Sequence, residues 1–105
     1  SAIREILVLN LRKKFSQYRL SFGDEVSGRA IVTPAMMRAY IMELCLGMMD
    51  QCLIVKGQVS RQYIQDNMVV TFDLQLRQAQ ITLKVPMVSQ LESIIGTIQY
   101  TFQAA

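Results

Sequence analysis

The last third of the chain alternates apolar and polar side chains almost without a break, and this limits the fold more than any other feature. Met68, Val70, Phe72, Leu74 and Leu76 interleave with Val69, Thr71, Asp73, Gln75 and Arg77. A period of two marks a half-buried strand, because successive side chains leave a pleated backbone on opposite faces. Ala79, Ile81, Leu83 and Val85 then alternate with Gln80, Thr82 and Lys84. The apolar set passes from even to odd positions between Leu76 and Ala79, which requires a turn or a bulge, so a tight hairpin is expected near Arg77-Gln78.

That second strand is expected to stop at Pro86. Val88, Leu91, Ile94 and Ile95 have the spacing of the buried side of a short helix, and Gly96 breaks it. A final strand then places Ile98, Tyr100 and Phe102 on one face, with Thr97, Gln99, Thr101 and Gln103 on the other. A strand placed last is either the closing edge of its own sheet or an arm offered to a neighbour. The choice separates a self-contained domain from a polymer subunit.

Upstream the period changes. Ile3, Ile6, Leu7, Leu11, Phe15 and Tyr18 recur at helical spacing and define one face over residues 3–19. Arg12, Lys13, Lys14 and Arg19 fall mainly off that stripe, so the helix carries an apolar face and a basic one. Gly23, Asp24 and Gly28 mark a loop or hairpin over residues 21–32. Thr33-Pro34 is a helix start: the threonine hydroxyl suits the N-cap, and proline suits the first position, where its missing N–H is not needed. The helix it opens is expected to run to about Met49. Its stripe of Met36, Met37, Tyr40, Ile41, Leu44, Cys45 and Met48 is broadened nearly all round by Ala39, Met42, Leu46 and Met49. A helix apolar on most faces is normally covered on most faces, which in so small a domain points to neighbouring subunits. After the apolar run Leu53-Ile54-Val55, residues 56–67 read as a polar stretch.

The fold class that follows is α+β: two longer helices packed on a small β-sheet with a hairpin, a short helix and a C-terminal strand. At 105 residues the chain is a single domain over residues 1–105. It has no histidine, which removes the commonest general base and metal ligand. No enzymatic activity, cofactor or metal is therefore expected. Cys45 and Cys52 read as two reduced core thiols, since a disulfide framework or metal site needs more ligands. No apolar run reaches the length of a membrane span, and no signal peptide is visible. The net charge of +3 suits an acidic partner surface but falls short of a nucleic-acid binder's dense basic patch.

Several short motifs combine with this order of elements. Leu11-Arg12-Lys13-Lys14-Phe15-Ser16-Gln17-Tyr18 fits a Leu-Arg-x-x-Phe-x-x-Tyr helix, and Gly28-Arg29-Ala30-Ile31-Val32-Thr33-Pro34 fits a Gly-x-Ala-x-Val-Thr-Pro lead-in to the next. A hairpin, a proline, Gln90-Leu91 and a terminal Gln99-Tyr100 strand follow. Over nearly its whole length the chain resembles the C-terminal, inner domain of contractile phage tail sheath proteins, shared in outline with R-type pyocin and type VI secretion sheaths.

The resemblance implies one domain of a larger sheath subunit, located in the virion tail and assembled in the bacterial cytoplasm. Its partners would be neighbouring sheath subunits in a helical homo-oligomer and the inner tail tube protein, without nucleic acid or membrane. Ile98, Tyr100 and Phe102 would belong to an inter-subunit strand, donated or bordering the receiving sheet. Arg12, Lys13 and Lys14 would face the tube. The alternative from another class is a small basic module that binds nucleic acid or an acidic protein through its first helix.

Overall fold

Residues 2–22, 31–88 and 93–103 are described by the structure, a computed structural model, with the backbone alone at 93–95. The elements in chain order are α1 (Ala2–Phe15), β1 (Arg19–Leu20), β2 (Ile31–Val32), α2 (Pro34–Asp50), α3 (Gln58–Asp66), β3 (Val69–Asp73), β4 (Gln78–Val88) and β5 (Ser93–Gln103). The class is α+β. β3, β4 and β5 form an antiparallel sheet in that order.

The four-residue repeat of α1 becomes a buried line of Ile3, Leu7, Leu11 and Phe15. In α2 the same spacing buries Met37, Ile41, Cys45 and Met48, with Met49 beside them. These side chains join Ala79, Ile81, Leu83 and Val85 of β4 and Ile98 and Phe102 of β5 in one core. Burying each of the larger ones (Leu, Ile, Val, Met or Phe) is worth about 1.5–3 kcal/mol. The helix-start reading holds in detail: Thr33 Oγ1 accepts from the Met36 N–H at 3.2 Å, and Pro34 opens the helix. Half-buried Tyr40, Met42, Leu44 and Leu46 pack against the core as well, so this chain itself covers most of α2.

β1 and β2 pair in parallel, which a hairpin between them could not produce. Gly23, Asp24 and Gly28 lie outside the described residues. β3 ends at Asp73, earlier than the alternation suggests, so Leu74 and Leu76 are turn residues and exposed. The Asp73 carboxylate closes this turn by accepting from the Gln75 and Leu76 N–H groups, each at 3.1 Å. Arg77 completes it at φ +55°. The parity switch is therefore a four-residue turn, Leu74–Arg77.

Three expectations about residues 86–96 are overturned. Pro86 does not stop a strand; it lies inside β4, opposite Ile95. Its carbonyl accepts from Val55 N–H at 2.8 Å, so its backbone groups face the 53–55 segment, and the missing N–H is no loss to the β4–β5 ladder. The residues read as a short helix are strand where described: Val88 ends β4 and Ser93 begins β5, while Leu91 lies outside the described residues. Gly96 is not a break either. It pairs with Val85, and the Met87 thioether occupies the space a side chain there would need.

The short helix is instead α3, within the stretch read as polar. Only Ser60 and Ile64 are buried on it and Val59 is exposed. Most of its residues are polar, so the stretch reads as polar although its polar and apolar residues separate at helical spacing. Leu53-Ile54-Val55 forms a bridge to the far end of β4, with Ile54 opposite Met87.

Candidate assembly surface

Both outer strands of the sheet, β3 and β5, have an edge that no described strand pairs with, and β5 offers the longer one, 11 residues against 5. The whole length of β5, Ser93 to Gln103, pairs with β4, and among the described residues no strand pairs with its other side. The direction of its backbone groups follows from Pro86. Antiparallel strands alternate between pairs that exchange hydrogen bonds and pairs that do not. Pro86 faces away from β5, so Pro86↔Ile95 is a non-bonded pair, and so are Lys84↔Thr97, Thr82↔Gln99, Gln80↔Thr101 and Gln78↔Gln103. Thr97, Gln99, Thr101 and Gln103 therefore turn their N–H and C=O groups to the open edge. Gly96, Ile98, Tyr100 and Phe102 bond to β4.

The side chains of β5 divide as the alternation suggests. Ile98 and Phe102 are buried, Tyr100 is half-buried, and Thr97, Gln99, Thr101 and Gln103 are exposed. In this structure Ile98 and Phe102 complete the chain's own core. The strand is kept, not extended away as an arm.

α1 lies along this strand and joins the two sets of candidate residues. Arg12 donates its Nε–H to the Tyr100 hydroxyl at 3.2 Å. The Lys14 ammonium lies 5.5 Å from the centre of the Tyr40 ring, within cation–π range. Lys13 is exposed, with no partner among the described residues. Phe15, at the end of the same helix, packs edge-on against Tyr18 at 5.3 Å and Tyr40 at 5.5 Å. Its ring is buried and offers no face for stacking a base.

The cysteines divide between core and surface. Cys45 is fully buried in α2, and burial pushes its thiol up to about 12, far from a reactive thiolate. Cys52 is exposed, which corrects the reading of two core thiols. It occupies the left-handed position just past α2 at φ +62°. There Leu53 N–H donates to Met48 C=O at 2.9 Å and Cys52 N–H to Met49 C=O at 3.1 Å, a helix-ending pattern that usually employs glycine. Among the described residues no cluster of His, Cys, Asp and Glu could hold a metal ion. No described helix is long and apolar enough to cross a membrane.

Sequence reasoning placed the faces of β5 but missed which of its backbone groups are free. The position of Pro86 carried that signal, once the proline is read as a strand residue. Comparison with known proteins finds no match to any family model, curated protein or solved structure.

Proposed function

We propose that this chain is the inner domain of a contractile tail sheath subunit, a structural protein that polymerises around an inner tube without chemistry of its own. The reading rests on the resemblance in short motifs and in the order of the two long helices, the hairpin and the terminal strand. The short helix that the resemblance implies after Pro86 is strand where described. The observation that carries it is the open edge of β5, where Thr97, Gln99, Thr101 and Gln103 present backbone donors and acceptors that no strand among the described residues pairs with. Long unprotected edges invite strand addition, and a protein that avoids aggregation normally shields them. A neighbouring subunit's extended segment would add there as a fourth strand. Each hydrogen bond formed contributes about 0.5–1.5 kcal/mol net. Register would be fixed by side chains while the backbone link holds, so subunits could tilt during contraction without separating.

The inter-subunit role of Ile98, Tyr100 and Phe102 is then indirect: they anchor the receiving strand from within. Of the three basic residues, Lys13 is the one left to meet an acidic tube surface, because Arg12 and Lys14 are engaged by tyrosines. The same engagement, with Phe15 buried, lowers the support for a nucleic-acid module.

The test uses the full-length subunit from which this domain comes. Thr101→Pro removes an outward N–H and leaves the β4 ladder intact, whereas Tyr100→Pro breaks that ladder. The expected result is a folded Thr101→Pro subunit that no longer forms helical tubes under electron microscopy. Normal tubes from Thr101→Pro, or wild-type protein that stays monomeric in the presence of the tube, would defeat the proposal.

A further inference from the structure

We infer that the cleft between α2 and α3 is a docking site for an acidic segment of a partner protein. It is independent of the sheath reading, since α2 borders β3, at the opposite side of the sheet from β5. Arg38 and Met42, one turn apart on α2, and Arg61 and Gln65, one turn apart on α3, line a cleft of about 210 Å³ with Met68, the residue just before β3.

Neither arginine has a carboxylate partner among the described residues. The ion pair Lys56–Asp50 lies elsewhere, and Asp66 on α3 is engaged by Gln62 at 2.9 Å. Two guanidiniums sharing one cleft repel, and an anion received between them removes the repulsion and can bond to both. Gln65 adds an amide, while Met42 and Met68 give an apolar floor suited to an aliphatic stem. Two cations are too few for nucleic acid, whose binders commonly make about 6–10 phosphate contacts. At about 30 Å³ per water molecule, the space holds one or two side chains.

The surface continues past Arg38 into a depression that also includes Phe22. The Phe22 ring is 61% exposed and tilted against Phe72 at 6.4 Å. An apolar residue beside the acid would cover it. The occupant is thus a protein segment that combines Glu or Asp with a leucine-like neighbour.

The test is a titration of the isotopically labelled chain with an acetylated, amidated Leu-Glu-Glu-Leu peptide, followed by the guanidinium Nε–H signals of Arg38 and Arg61. Saturable shifts at both are expected with this peptide, and none with Leu-Gln-Gln-Leu. Arg38→Gln and Arg61→Gln should each weaken binding about fivefold, the scale of one partly exposed charged pair, at unchanged melting temperature. Arg38→Lys, which keeps charge without the planar fork, should fall between. Absence of saturable shifts overturns the inference. So does inorganic phosphate matching the peptide at both arginines, which would make the cleft a general anion site.

Discussion

The Arg12 guanidinium donates to the Tyr100 hydroxyl at 3.2 Å, and so ties the end of the first helix to the middle of the last strand across 88 residues of sequence. The contact links α1 directly to β5. Because it is solvent-exposed, its energy is modest. Tyr100→Phe removes the hydroxyl and is expected to lower stability by about 0.5 kcal/mol, read as a small drop in the urea midpoint.

Phe102 behaves differently, because it is buried against α1 and the sheet. Phe102→Ala is expected to cost about 3–5 kcal/mol, a large part of the roughly 5–15 kcal/mol available to a small domain. Replacing Ile98, Tyr100 and Phe102 together with serine should therefore unfold the chain, not merely prevent its assembly. Circular dichroism would show the loss. Native-like melting of the triple variant would contradict the packing described here.

The Cys45 thiol links stability to alkaline pH. Burial raises it from 9.0 to about 12, so above pH 9 the unfolded chain releases a proton that the folded chain retains. Its contribution is intact below pH 9 and is lost as pH rises from 9 towards 12. The slope approaches about 1.4 kcal/mol per pH unit within that window. Urea unfolding at a series of pH values should show this component in the wild type and not in Cys45→Ala, which starts from a lower stability because of the cavity.

Arg77 at φ +55° and Cys52 at φ +62° both hold left-handed conformations without being glycine. That conformation costs roughly 1–2 kcal/mol for an ordinary residue, and glycine loses about 0.5–1 kcal/mol more backbone entropy on folding. Strain is the larger effect, so Arg77→Gly is expected to stabilise by about 0.5 kcal/mol. Arg77→Val, β-branched at a positive φ, should lower the melting temperature.

The two long helices, α1 ending at Phe15 short of residue 19, and the faces of β3, of β4 as far as Val85 and of β5 from Thr97 were legible because their apolar residues recur at one period. Ile3, Leu7, Leu11 and Phe15 needed no tertiary information, and neither did Thr33-Pro34. The errors cluster where a residue's usual meaning depends on what lies beside it. Pro86 ends a strand only if the paired strand needs its N–H, and here its backbone groups face the 53–55 segment, away from β5. Ile94 and Ile95 match a helical stripe as readily as a strand, since a short apolar run has no period of its own. α3 escaped notice because most of its residues are polar, although they separate from Val59, Tyr63 and Ile64 at helical spacing. Arg38 and Arg61 are far apart in sequence, and only the meeting of α2 with α3 brings them to one cleft.

The packing of α1 on β5 also dictates when the domain can fold. The helix ends at Phe15, and the strand that covers it begins at Ser93. A ribosome adding about 5–20 residues per second leaves that apolar stripe waiting for roughly 4–16 seconds. Hydrophobic collapse is far faster, at no more than about 100 μs for a chain of this size, so the stripe must find interim cover. Non-local closure of this kind slows folding and lengthens exposure to aggregation. A nascent chain halted before β5 is an open core in search of a strand, and the cell must shield it until the last segment arrives.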